Sequence, residues 1–286
     1  MGSGHDAAAA FIAPPLSCDA HFHVFGPLDR FPQDPGAYHP ALSAPIDTYR
    51  DVADRIGISR FVLVQPAAYA ADNACLLDAL REIGPVAGRG VVVIGETRPA
   101  DTTLAAWQSL GVRGIRVLSH QWTPVPGLAG GFRSQIKRAV SLARELSWHV
   151  DFLTPGWLAE EMMADFADLP VDFAIAHLGM LPWGQGPRYP AWQQLLGLLA
   201  TPPRRCWLKL TGWYRSAASP AELAPFLTEA LRVAPDRIVW GSDFPHISFS
   251  DTIDTVETFN TLADLVPDES TRHRILVDNP AELYGF

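Results

Sequence analysis

The chain has 286 residues, 48% of them hydrophobic and 19% charged, with a formal net charge of −9 from 31 acidic and 22 basic side chains. That balance excludes a disordered chain and leaves no basic excess to face a nucleic acid, although two local arginines would still hold an anionic small molecule. No apolar run approaches the ~20 residues that cross a bilayer. Cys18, Cys75 and Cys206 are odd in number, far apart and without Cys-x-x-Cys spacing, which points to reduced thiols in a cytoplasmic protein.

In chain order, residues 1–16 come first, with Gly-Ser-Gly-His and an alanine run, and read as a disordered or appended arm; His5 is set aside with it. From residue 17 short apolar runs alternate with longer amphipathic ones. A first strand is expected at 18–24, followed by a Pro- and Asp-rich loop at 25–45 that reads as a lid over one mouth of the fold. Helix 47–56 precedes strand 60–65, helix 73–83 precedes strand 90–96, and helix 102–110 precedes strand 114–118. Helix 134–146, strand 149–153, helix 158–168, strand 173–177, helix 190–199, strand 207–211, helix 221–234 and strand 238–241 complete the series. Helices at 251–263 and 278–284 close the chain, with Asn279 before Pro280 read as a cap. The strands are apolar on both faces, as strands between a barrel interior and a helix layer must be. Leu76, Leu77, Leu80 and Ile83 show how a helix supplies the covering face. Eight strands with a helix in each gap predict an α/β fold, a single-domain (β/α)8 TIM barrel over 17–286. An open doubly wound sheet is disfavoured because no Gly-rich turn follows the first strand.

Three strand ends carry polar residues that a barrel interior tolerates only if they are used. On the first, strict alternation puts Asp19, His21 and His23 on one face. The sixth ends in Ile175-Ala176-His177-Leu178-Gly179. The eighth runs Ile238-Val239-Trp240-Gly241-Ser242-Asp243-Phe244-Pro245-His246, so a carboxylate follows a buried strand at once, with His246 three residues on. Taken singly, these residues could be core histidines or a turn aspartate. Together they predict one site.

These segments resemble the amidohydrolase superfamily. The closest resemblance is to its amidohydrolase-related group, which holds 2-pyrone-4,6-dicarboxylate lactonase, D-galactarolactone isomerase and sugar lactonases. The resemblance runs from about residue 17 to the end and includes Val112-Arg113-Gly114-Ile115-Arg116, Trp207-Leu208-Lys209-Leu210-Thr211-Gly212 and Asp278-Asn279-Pro280-Ala281-Glu282. It implies a hydrolase that opens a lactone, with Asp243 as general base and His21, His23 and His177 stabilising the oxyanion. It also implies Arg116 and Arg215 as carboxylate grips and Tyr38 as a lid residue. Strand four ends without Lys or Glu, and the only His of strand five, His149, opens that strand, which argues against a binuclear metal site. The lactonases resembled work without metal; one zinc on His21, His23, His177 and Asp243 is the alternative.

Two departures bear on the substrate. Trp122 stands where the pyrone enzyme has a second arginine, and Asp151-Phe152-Leu153 stands where it has a tyrosine. Trp122, Trp183 and Trp213 are candidate aromatic walls for a sugar or aromatic-derived lactone. A lactone isomerase, a zinc-dependent decarboxylase or hydrolase of the same superfamily, and a silent ligand-binding barrel are the alternative functions.

Overall fold

In the computed structural model, which describes residues 7–36, 43–216 and 218–286, the chain forms a parallel barrel. Among the described residues its strands are β1 (Cys18–Phe22), β2 (Arg60–Val64), β3 (Gly88–Val92), β4 (Val112–Leu118), β5 (His149–Leu153), β6 (Phe173–Ile175), β7 (Cys206–Leu210) and β8 (Ile238–Trp240), paired in sequence order. Helices α1 (Ile46–Ile56), α2 (Ala74–Ile83), α3 (Asp101–Ser109), α4 (Leu128–Leu146), α5 (Gly156–Ala167), α6 (Pro190–Ala200), α7 (Pro220–Val233) and α8 (Thr255–Leu265) wrap it. The fold class is the one read from the alternating pattern.

The barrel interior is filled by Cys18, Ala20, Val62, Val64, Val91, Ala174, Trp207 and Val239, with Tyr284 from the C-terminal helix inserted among them. The larger apolar cluster lies between strands and helices. β1 and β8 meet through backbone bonds beyond the end of β8: Asp243 N–H donates to His21 O at 2.8 Å and His23 N–H to Phe244 O at 2.8 Å. Gly241 permits this approach, since a Cβ there would stand 2.6 Å from the Cβ of His21. The barrel is therefore drawn shut at the point where the polar strand ends gather.

Several boundaries differ from expectation. β3 ends at Val92, not at residue 96, because the Asn73 side chain takes both backbone groups of Val93, at 3.0 and 2.9 Å. α4 starts at Leu128, six residues early, since burial of Ala129 and Phe132 on one face outweighs the cost of Gly130 and Gly131. α8 starts at Thr255 and is capped by Asp254, whose side chain accepts from Glu257 N–H at 3.0 Å. Asn279 is not a cap. α9 (Glu269–His273) continues through a π turn at Arg274–Asp278 into α10 (Asn279–Tyr284). The Asn279 amide instead donates to Pro235 O and Ile238 O at 3.0 and 2.6 Å, tying the closing helix to the start of β8.

The described part of the N-terminal arm lies against the barrel. Phe11 stacks on Phe259 at 4.3 Å and Ala13 N–H donates to Ile56 O at 2.9 Å. No helix among the described residues is long and apolar enough to cross a membrane.

Candidate active site at the barrel seam

β1 does not keep strict alternation. Asp19 pairs with Phe61 and Phe22 with Leu63, so three steps on β1 match two on β2, the signature of a β-bulge. Ala20 stays among the interior side chains while Asp19 turns to the helix layer, where Tyr49 of α1 donates to its Oδ2. Its Oδ1 accepts from His21 N–H at 2.9 Å and Ser242 N–H at 3.0 Å. Asp19 therefore leaves the set expected from sequence and becomes a clip across the seam. Burial raises its pKa to about 6, against the pull of those donors.

The extra residue lets both His21 and His23 face inward. Their rings stand edge to face with centroids 5.0 Å apart, and His21 lies 5.1 Å from His177. His177 sits in a left-handed turn directly after β6, at φ 52°, and Asp243 is also left-handed, at φ 65°. Such backbone in non-glycine residues costs about 1–3 kcal/mol and persists only where the surrounding structure holds it. Asp243 Oδ1 lies 3.6 Å from His23 Nε2 and 3.9 Å from His21 Nε2. All four side chains predicted to converge do so, and all are buried.

Asp243 uses its two oxygens differently. Oδ2 accepts from Arg215 Nε at 2.6 Å and from the Tyr214 hydroxyl at 2.8 Å. Oδ1 is buried without a hydrogen-bond partner. Burial alone would raise this carboxyl, but Arg215, then the histidines, hold it well below the usual carboxylate range, so it is ionised. Behind Tyr214, His246 Nδ1 is 2.8 Å from the same hydroxyl, and His246 Nε2 is 2.8 Å from Thr255 Oγ1. His246 thus braces Asp243 through a tyrosine.

The imidazoles are neutral: burial lowers His21 far below 6.5, lowers His23, and brings His177 to about 3. Their backing groups fix the proton. His23 Nδ1 lies 2.7 Å from Val64 O and His177 Nδ1 3.3 Å from Thr211 O; a carbonyl only accepts, so each Nδ1 carries the hydrogen and each Nε2 a lone pair. His21 is backed by a donor instead: Lys209 Nζ, 3.4 Å from Nδ1. Its Nε2 therefore carries the hydrogen. Gly212, at φ +53°, permits the His177–Asp243 approach, because a Cβ there would fall 2.3 Å from His177 Nδ1 and 2.8 Å from Asp243 Oδ2.

Above these groups opens a chamber of about 620 Å³, mouth included, walled by His23, His177, Asp243, Arg116, Arg215, Phe25, His120, Trp122 and Leu153, among others. His21 lies one layer beneath. Arg116 reaches the chamber from β4, donates Nη1 to Gln65 O and has no partner for its buried Nε; burial lowers its pKa to about 10, so it stays cationic. Arg215 stands at the wall but spends Nε on Asp243 and Nη1 on Ile247 O. Of the three tryptophans expected as walls, only Trp122 is one. Trp183 packs edge-on against Trp192 and Phe226, and Trp213 against Tyr214. Tyr38 lies outside the described residues. His149 sits at the far end, 5.1 Å from Tyr284. Tyr214, His120 and Lys209 were missed; the signal for the first two was polar residues placed just after β7 and β4, on the face where β1, β6 and β8 present theirs.

A closed (β/α)8 barrel with a buried carboxylate and three imidazoles at the carboxyl ends of its strands is a barrel enzyme with a hydrolytic type of site. The chain belongs to the amidohydrolase family, whose profile matches residues 18–286. It is 31% identical to the 4-sulfomuconolactone hydrolase of Hydrogenophaga intermedia, over 96% of this chain and 90% of that one. It is 27% identical to the D-galactarolactone isomerase of Agrobacterium fabrum, over 95% and 91%. A solved apo structure from Agrobacterium tumefaciens superposes with a TM-score of 0.83 at 27% identity, over 98% and 99% of the two chains.

Proposed function

We propose that the protein is a cytoplasmic hydrolase that opens an acidic lactone. The single observation that carries this is the niche between His21, His23 and Asp243. These residues offer ligand atoms within 4.8 Å of one another, close enough to surround one small species. The niche presents one N–H, from His21 Nε2, and two acceptors, His23 Nε2 and Asp243 Oδ1. A water molecule, with two hydrogens and spare lone pairs, is the species that satisfies all three.

A metal ion is served less well. The spacing fits one divalent cation held by His21, His23 and Asp243, with His177 beside them, and such an ion would polarise a carbonyl. The proton on His21 Nε2, however, stands where a ligand lone pair is required. The zinc arrangement therefore does not fit the hydrogen bonding of this chain.

In the proposed reaction Asp243 Oδ1 takes a proton as the niche water attacks the lactone carbonyl carbon, forming the new C–O bond. The charge on the carbonyl oxygen develops in the field of Arg215 on the chamber wall. Collapse breaks the ring C–O bond, and Asp243 returns its proton to the departing oxygen. This revises the role expected for the histidines: His21 and His23 hold the nucleophile, and His177 adds an acceptor at the wall. Arg116 anchors the acidic substituent, and Trp122 covers the ring. The name of the Hydrogenophaga relative, a sulfomuconolactone hydrolase, fits an arginine-lined chamber of this kind.

The test is a screen of lactones with and without acidic groups, followed by Asp243→Asn. A loss of roughly 10²–10⁴ in kcat is expected on removal of a positioned base, and an unchanged rate would sink the assignment. The isomerase relative favours one further reading, in which a substrate hydroxyl replaces water. Incorporation of oxygen from labelled water into the product decides for hydrolysis.

A further inference from the structure

Beneath the niche, inside the barrel, lies an ion pair that the proposed reaction does not touch. Lys209 of β7 and Asp151 of β5 are both fully buried and paired through Lys209 Nζ and Asp151 Oδ2. The same Nζ donates to Ala20 O at 3.1 Å and stands 3.4 Å from His21 Nδ1. An ammonium has three hydrogens and no lone pair, and here it meets three acceptors: a carboxylate, a carbonyl and an imidazole nitrogen. Burying an ion pair rarely adds stability over apolar residues of equal size, so its presence asks for another reason.

We propose that Lys209, held by Asp151, is a positioning residue that keeps the proton of His21 on Nε2 and so decides what the niche accepts. With Nδ1 occupied by a donor, His21 faces the niche as an N–H, and the niche suits water. Without Lys209, His21 is free to carry its hydrogen on Nδ1, as His23 and His177 do. The lone pairs of His21 and His23 then converge with Asp243 Oδ1, and the niche becomes a site for a divalent cation. The bulge in β1 is part of the device, because it turns His21 inward over Lys209 while Ala20 O stays within reach. The consequence for catalysis rests on the lactone-opening reading; the proton position does not.

The test uses the full chain labelled with ¹⁵N-histidine, with His21→Asn identifying the His21 signals. Two-dimensional ¹H–¹⁵N spectra without substrate are expected to show the His21 proton on Nε2 in the parent. Lys209→Met alone would leave Asp151 buried and uncompensated, so the variant is Lys209→Met/Asp151→Asn, checked for folding by its spectrum. There the proton is expected to move to Nδ1, and zinc alone, titrated by equilibrium dialysis, is expected to bind at least tenfold more tightly than to the parent. That gain should vanish when His21→Asn is added. Asp151→Asn with Lys209 intact should keep the proton on Nε2. A parent protein with the His21 proton on Nδ1, or a double variant that keeps it on Nε2, overturns the proposal. If the proton moves as stated but no lactone is opened by the parent, the functional reading fails and the Lys209 assignment stands.

Discussion

Arg116 offers the sharpest test of how substrate is held. The residue is 4% exposed, donates Nη1 to Gln65 O, and leaves Nε without a partner at the chamber wall. A carboxylate or sulfonate on the substrate would supply that partner, and hydrogen bonds to charged groups contribute about 1.5–3 kcal/mol each. Taking about 2 kcal/mol for the anchoring bond, Arg116→Ala should raise KM for an acidic lactone roughly 30-fold, at 1.4 kcal/mol per factor of ten. A lactone of the same ring with its acid esterified should show little change in KM. Initial rates for the pair, measured on both proteins, separate the two cases. Equal changes for both substrates, or a fall in kcat with KM unaltered, would refute the anchoring role and reassign Arg116 to the oxyanion.

Gly212→Ala should cost roughly 10² in kcat/KM, since its Cβ would press His177 and Asp243 apart from 2.3 and 2.8 Å; retention of full activity would show that their spacing is not critical. Acidification should unfold the protein from below pH 6.5. His149 and His246, lowered by burial to about 4, and His177, lowered to about 3, stay neutral when folded but take protons when unfolded, so the stability present above 6.5 is lost as pH falls towards 4. Asp19, raised by burial to about 6, works in the opposite sense between about 6 and 3.8. Three protons against one leave a net of two, or about 3 kcal/mol per pH unit near pH 5, and His21 and His23 add to it in the same direction. Denaturant titrations at pH 6.5, 5.5 and 4.5 measure the slope, and a flat profile would contradict neutral burial of these rings.

The strands and the converging residues were legible in the sequence because both depend on local pattern. An apolar run buried on two faces reads the same in any barrel, and a polar residue directly after it can only lie at the mouth. His21, His23, His177 and Asp243 announced themselves in that way. The bulge in β1 did not, since nothing in Asp19-Ala20-His21 says that β2 will be one residue short, and strict alternation wrongly kept Asp19 with the histidines. Partners joined across the closed sheet were equally hidden. Ser242 N–H meets Asp19 across 223 residues, and Lys209 meets His21 across 188. Arg215 was visible as a cation near the mouth, but whether it faces substrate or Asp243 depends on where Asp243 Oδ2 lands. Local pattern determined which segments become strands and that polar residues gather just beyond their ends. Closure of the barrel decided which donor meets which acceptor, because hydrogen bonds are set by ångström distances that only the folded sheet supplies.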